Sequence, residues 1–431
     1  MRVLMFGWEF PPHISGGLGT ACYGLTKGLA ELNDIDITFV VPKVFGDEDL
    51  SSVELIGANN ISVSKHKLQF DNIQKKIEYY EVNAPLIPYI GEEEFWKLKS
   101  GKFKKENRFV ETDNEGKIDF SGTYSEGLFT EIRNYALVAE VIAREAPFDI
   151  IHAHDWLTYP SGIAAKLTTG KPLVVHVHAT DFDRSGGNVN PGVYAIEREG
   201  MEMADKIIAV SNFTKKTVIE KYGIPKKKIV TIHNAVDQVE NGGNNVPKKG
   251  IKDKIVTFLG RITMQKGPEY FIEAANLVLN KMNNVHFVMA GSGDMMNTMI
   301  SRVAELGISD RFHFTGFLKG KDVQQMFKMT DVFVMPSVSE PFGIVPLEAM
   351  QLNVPVIISN QSGVSEVLKN VIKIDFWDTY AMADSISGLL NYSSLSHHFI
   401  EEGKAEIGNL KWINAANEVY NVYRSLIKKE L

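Results

Sequence analysis

Short runs of apolar, β-branched residues alternate along this chain with longer stretches whose apolar positions recur every three or four residues. In the first half the runs are residues 3–6, 37–41, 149–152, 173–177 and 206–210; in the second they are 254–259, 286–290, 312–315, 332–335 and 355–358. A strand exposed on one face alternates, whereas a strand covered on both faces is apolar throughout. Runs of this kind separated by helices therefore predict parallel sheets with helices on both sides. The pattern restarts near residue 251, after a polar, Gly- and Asn-rich stretch at 240–250. The expectation is an α/β chain of two Rossmann-like β/α/β domains, 1–240 and 251–410. Residues 411–431 carry Ala416, Val419, Tyr420 and Tyr423 at helical spacing and predict a C-terminal helix. Residues 43–130 fit the plan least. They are charge-rich, with Tyr79, Tyr80, Phe95 and Trp96 scattered among them, and read as an insertion that is either a surface excursion or an acceptor-binding lid.

Length and composition agree with two domains. A single core rarely grows beyond about 250–300 residues, and the chain has 431, of which 44% are hydrophobic and 23% charged. The net charge of −7 argues against a nucleic-acid partner and requires any anion site to be local. One cysteine, Cys22, excludes a disulfide framework and a cysteine-rich metal site. The opening run at 1–7 is too short for a signal peptide, and no stretch approaches the roughly 18 apolar residues of a membrane span. A cytoplasmic protein without a membrane span is expected.

Four groups of residues could carry chemistry. After the first strand comes Pro11-Pro12-His13-Ile14-Ser15-Gly16-Gly17-Leu18-Gly19, leading into a helix expected near Thr20. Glycines there suit either a tight turn or the approach of an anion to a helix N-terminus. After the first strand of the second domain, Arg261 and Lys266 sit on a loop ahead of a helix expected near Pro268. An Arg fork with a Lys point charge suits a diphosphate. The third group, 339–350, places Glu340 in a loop, Pro346 in the first turn of a helix, and Glu348 just inside it. These carboxylates suit sugar and ribose hydroxyls, although Glu348 could simply complement the helix dipole. The fourth group is two His-x-His pairs, His152/His154 followed by Asp155, and His176/His178, each at a strand end. Alternate strand residues share a face, so each pair could present two imidazoles to a ligand, or to zinc. Asp181-Phe182-Asp183 matches a metal-binding Asp-x-Asp, as do 34–36 and 47–49 by chance; Cys22 reads as a buried small side chain.

Together these segments resemble the retaining glycosyltransferases of the GT-B fold, the large group that includes glycogen, starch and sucrose synthases. The specific part is Arg261-x4-Lys266-Gly267, then Gly291-Ser292-Gly293, Gly316-Phe317 and Glu340-x7-Glu348, in that order. His152-Ala-His154-Asp155-Trp156 and His233-Asn234-Ala235-Val236-Asp237 look like the corresponding glycogen and starch synthase segments. The resemblance implies a nucleoside-diphosphate sugar donor and no cofactor or metal. It implies catalytic roles for Arg261 and Lys266 on the diphosphate, Glu340 on the donor sugar and His178 beside the anomeric carbon. It places Gly16 and Gly17 against the diphosphate, and Gly291, Phe317 and Leu318 along the nucleoside. The amides of Gly343, Ile344 and Val345 would meet sugar and phosphate, Glu348 the ribose, and Asn234 the inter-domain cleft. His154 and Asp155 become acceptor-side candidates, and the helix from Trp412 would cross back to the first domain. The implied reaction is hexosyl transfer, of glucose above all, to an α-1,4-glucan. The alternatives are a small or lipid-linked acceptor, or a glycan- or nucleotide-binding protein without turnover. Bacterial glycogen and starch synthases carry Lys two residues before the Gly pair, where this chain has Ile14. That departure favours UDP-glucose at least as much as ADP-glucose.

Overall fold

The computed structural model describes residues 1–14, 16–63, 112–124, 127–237 and 252–427. Ser15, the centre of the expected insertion and the expected linker lie outside them. Seven parallel strands form the first sheet: β1 (Arg2–Phe6), β2 (Asp36–Val41), β3 (Glu54–Gly57), β4 (Ile150–His154), β5 (Leu173–Val177), β6 (Lys206–Ala209) and β7 (Ile229–Thr231), in the order β3-β2-β1-β4-β5-β6-β7. Six parallel strands form the second: β8 (Lys254–Leu259), β9 (Val285–Ala290), β10 (Phe312–Gly316), β11 (Val332–Met335), β12 (Val356–Ser359) and β13 (Ile372–Ile374), in the order β10-β9-β8-β11-β12-β13. Every position of β4, β5, β11 and β12 is buried, as strands covered by helices on both faces require.

Three strands had no counterpart among the apolar runs: β3, β7 and β13. All three are edge strands of three or four residues. An edge strand has one neighbour and partial solvent exposure, so it needs few apolar residues and leaves little pattern. Within the segment 43–130, residues 54–57 belong to the sheet, paired with β2. Ile118 and Phe120 are buried in the same half. The helix expected near Thr20 starts earlier, spanning Gly17–Ala30, with Leu18, Ala21, Cys22, Leu25 and Leu29 buried along one side.

The C-terminal helix Trp412–Ile427 packs on the helix Gly17–Ala30 of the first half. Its residues Trp412, Ala416, Val419 and Tyr423 join one apolar core with Val3, Met5 and Leu25 from the first half and Leu347 and Met350 from the second. The two helices approach closely because small residues face Trp412. A Cβ on Gly24 would lie 2.1 Å from the indole ring, and one on Gly28 would lie 2.6 Å from the carbonyl oxygen of Trp412. Gly28→Val should therefore overpack this seam against backbone that has nowhere to move. The expected cost is about 1–3 kcal/mol, read as a lower urea midpoint. A midpoint equal to wild type would show that the helices do not dock this tightly.

Candidate active site

Each sheet reverses direction at its centre, between β1 and β4 in the first and between β8 and β11 in the second. Loops leaving such neighbouring strands turn to opposite faces and leave a crevice at the C-terminal edge. The loop after β1 carries Gly16 and Gly17, β4 ends in His154, the loop after β8 carries Arg261 and Lys266, and the loop after β11 carries Glu340. The candidate residues thus cluster at the reversal points of the two sheets.

The two edges meet. Ser339 Oγ donates to Asp183 Oδ1 at 2.6 Å, and Ser211 Oγ donates to the carbonyl of Pro341 at 2.6 Å. Glu366 accepts the amides of Asn212 at 2.9 Å and Phe213 at 2.7 Å, and lies 2.9 Å from His233 Nε2. Gly186, at φ +61°, lies against the end of the Met264 side chain, whose Cε would be 2.2 Å from a Cβ there.

On the second-half side, Lys266 Nζ pairs with Glu340 Oε2 at 2.5 Å, and Ser337 Oγ donates to the same oxygen at 3.1 Å. Arg261 donates to Gln265 Oε1 at 3.1 Å. Gly291 holds φ +140°, and a Cβ there would lie 1.8 Å from the carbonyl oxygen of Gly260. Only glycine lets these two loops pass. Helix Val345–Gln351 has Pro346 in its first turn, Ile344 at its N-cap without a side-chain cap, and Gly343 at φ +102° just before it. Glu348 lies in that first turn, its carboxyl pushed up to about 7 by burial and then by the negative charge of Asp237. Leu318 packs on the shared core, while Phe317 beside it is 52% exposed. On the first-half side, Gly16 and Gly17 border open space, and Asn234 is buried in the segment following β7.

The histidines form one cluster rather than two pairs. Parallel register sets His154 beside His176, and ring centroids along the group lie 4.2 to 5.4 Å apart. His152 Nδ1 meets the hydroxyl of Tyr423 at 2.5 Å, and His154 Nδ1 meets His178 Nε2 at 3.0 Å. Burial holds all four imidazoles neutral, reinforced for His152, His154 and His176 by their neighbours' charge; His178 falls to about 3. They act as hydrogen-bonding groups, not cations. His154 and Asp155 are both buried behind His178, and Asp155, at φ +63°, faces Arg184 at 3.5 Å.

Some residues could hold a metal. Ligand atoms of His152, His154 and His176, or of Cys22, His154 and His178, lie within 4.8 Å of one another. The Asp181/Asp183 pair is otherwise engaged. Asp183 Oδ2 accepts from the amide and hydroxyl of Thr180, its other oxygen accepts from Ser339, and Asp181 Oδ2 accepts the amide of Asn190 at 2.6 Å. Those carboxylates cap and brace the helix Asp181–Ser185. Sequence reasoning missed Gln265, Ser339, Arg184 and Glu366, which are single polar residues whose partners are distant in the chain. Only the placing of Gln265 between two cations hinted at a role.

Comparison with known proteins agrees with this architecture. Residues 244–406 match the model described as glycosyl transferases group 1, and residues 116–239 match glycosyltransferase family 4. An uncharacterized glycosyltransferase of Methanocaldococcus jannaschii is 28% identical over 98% of both chains. A glycogen synthase of Mycobacterium tuberculosis is 25% identical over 86% of this chain and 80% of its own. Among solved structures, sucrose-phosphate synthase from Thermosynechococcus elongatus superposes with a TM-score of 0.73 over 99% of both chains at 16% identity, a likeness of fold alone. The chain has the GT-B fold and is a glycosyltransferase, its two halves matching the family 4 and group 1 models. Such an enzyme binds a nucleotide-sugar donor and a glycosyl acceptor. Among the described residues, no helix is long and apolar enough to cross a membrane.

The first-half wall of the site depends on one buried cation. Arg184 lies 2.5 Å from Glu197, 3.5 Å from Asp155 and 3.7 Å from Asp181, all with little exposure. Removing it takes a nearby cation from Asp155, Asp181 and Glu197, whose burial already pushes Asp155 up to about 6 and Glu197 up to about 8. Arg184→Met should cost about 3–5 kcal/mol, as for other broken buried pairs. Urea unfolding that shows a loss under 1 kcal/mol would mean the network carries no such load.

Proposed function

We propose that this enzyme moves a glucosyl group from a nucleoside-diphosphate glucose to an α-1,4-glucan, with retention of anomeric configuration. The observation that carries the donor side is the pairing of Lys266 with Glu340 beside Arg261, at the reversal point of the second sheet. Arg261 and Lys266 supply positive charge where the leaving diphosphate gains negative charge, and Glu340 accepts hydrogen bonds from the sugar. The amides of Gly343, Ile344 and Val345 meet the sugar and phosphate. Glu348 takes the ribose, with Gly291, Phe317 and Leu318 along the nucleoside. Gly16 and Gly17, bordering open space, admit the diphosphate from the first half. His178, kept neutral, lies beside the anomeric carbon, and Asn234 faces the cleft.

The acceptor hydroxyl arrives on the leaving group's face. The departing phosphate takes its proton, so the reaction needs no dedicated side-chain base. Catalysis is electrostatic and positional, and the two cations take the place of a metal. The glycogen synthase relative supports a glucan acceptor. Ile14, standing where a lysine marks ADP-glucose enzymes, supports UDP-glucose. The single, buried, free Cys22 fits a reducing cytoplasm.

Nucleotide release should be measured with UDP-, ADP- and GDP-glucose, each with glycogen, maltooligosaccharides or small acceptors. Release from UDP-glucose that rises with glucan supports the proposal; release stimulated only by small or lipid-linked acceptors overturns the acceptor assignment. Arg261→Ala and Lys266→Ala should each lower kcat on the order of 10²-fold, as when a preorganised donor is lost. Near-normal turnover in both would remove the clamp.

A pH profile isolates Glu348. Burial, and then the charge of Asp237, push its carboxyl from the usual 4.5 up to about 7 in the free protein. The folded state therefore keeps a proton that the unfolded chain releases. The stability due to this group is complete below 4.5 and is lost as pH rises through about 7. Ribose hydroxyls need the ionised form as acceptor. The donor KM should therefore climb as pH falls below about 7, and Glu348→Gln should flatten that climb. An equally steep profile in the variant assigns the ribose elsewhere.

A further inference from the structure

The loop bearing Arg261 and Lys266 does not set their positions alone. Between them Gln265 is 4% exposed, an unusual place for a long amide in a single helical turn. Its hydrogen bonds account for the burial. Its side-chain oxygen accepts from the Arg261 guanidinium at 3.1 Å, and its side-chain nitrogen donates to the carbonyl of Ser339 at 3.1 Å. Its main-chain carbonyl accepts the amides of Val338 at 2.9 Å and Ser339 at 3.4 Å. Ser339 in turn reaches across the cleft, its hydroxyl donating to Asp183 at 2.6 Å, and Asp183 holds the amide and hydroxyl of Thr180 at 2.8 Å each. An unbroken line of hydrogen bonds thus runs from Arg261 to the segment just after His178 in the other half.

We propose that Gln265 is a positioning residue for glycosyl transfer. It fixes the Arg261 guanidinium against the 337–340 loop, so the cation is fully placed only when Ser339 has met Asp183. The inference rests on the reading of Arg261 and Lys266 as the diphosphate cations. The physical case lies in the side-chain inventory. An arginine donates only and a carbonyl accepts only, so the group between them must offer both an acceptor and a donor. Glutamine does so; glutamate keeps the acceptor alone, and methionine of similar length keeps neither. A free arginine side chain samples many rotamers, and a cation held in advance stabilises developing charge without reorganising during the reaction.

The test compares Gln265→Met, Gln265→Glu, Ser339→Ala and Arg261→Ala, assayed with UDP-glucose and ADP-glucose alongside thermal midpoints and UDP affinity. Gln265→Met should lower kcat roughly 10- to 100-fold, the scale of an ångström-sized misplacement, with donor KM and UDP affinity within about 3-fold of wild type. Gln265→Glu should fall between, because it still grips Arg261. Adding Ser339→Ala to Gln265→Met should cost little more, since both break the same line. Wild-type turnover in Gln265→Met beside an impaired Arg261→Ala overturns the positioning role and leaves the cation reading standing. Wild-type turnover in both overturns both. A Gln265→Met effect that tracks the thermal midpoint, with KM and UDP affinity worsening in parallel, or full additivity with Ser339→Ala, assigns Gln265 a merely structural part and also overturns the proposal.

Discussion

The bond between Lys266 and Glu340 organises the crevice edge of the second half of this enzyme. It joins the loop after β8 to the loop after β11, the two strands between which the second sheet reverses. Glu340 is nearly buried, and a carboxylate in that position is costly unless it is paired and hydrogen-bonded. Lys266 and Ser337 share one of its oxygens. The pair also tells against a purely structural reading of both residues. A salt bridge kept only for stability gains little when partly buried, since desolvation offsets much of the attraction. A cation and an acceptor held ready for a charged, hydroxyl-bearing ligand give the same geometry a use.

That use must be local, because the protein as a whole carries a net charge of −7. Attraction of an anion has to come from two side chains and from backbone amides, at a crevice that the sheet topology places regardless of surface charge. Among the described residues of the first half, the clustered His152, His154, His176 and His178 are held neutral by burial, and Arg184 faces three buried carboxyl groups. The halves are therefore unequal. One supplies electrostatics; the other supplies neutral hydrogen-bonding groups and a wall braced by a buried charge network.

The same inequality decided how much could be read from the sequence. Nine of the ten strands that announced themselves as apolar runs are interior strands, where burial on both faces tolerates little else; the tenth, the edge strand β10, was visible through Phe312 and Phe314 although it has one buried position. The edge strands β3, β7 and β13 did not, since one side of each is free and three or four residues suffice. In the site, Arg261, Lys266 and Glu340 were legible because charged residues directly after apolar strands are conspicuous and the strand ends converge. Gln265 and Ser339 were not, because their role appears only once residues 74 apart in the chain are brought together. The histidines were visible as pairs, but their merger into one cluster depends on the β4–β5 register, which no local pattern encodes.

The contacts between the halves are of two kinds. Along the C-terminal helix, Trp412, Ala416, Val419 and Tyr423 bury apolar surface against the helix Gly17–Ala30 with small residues at the seam. Around the crevice, hydrogen bonds from Ser339 to Asp183, Ser211 to Pro341, and Glu366 to the amides of Asn212 and Phe213 stand beside apolar contacts such as the His233 ring against Phe342. Each such bond is worth about 0.5–1.5 kcal/mol net, and water can replace it when the cleft opens. The apolar seam has no such substitute, since separating it exposes hydrocarbon. Of the polar contacts, Ser339 to Asp183 is the one that continues through Gln265 to Arg261.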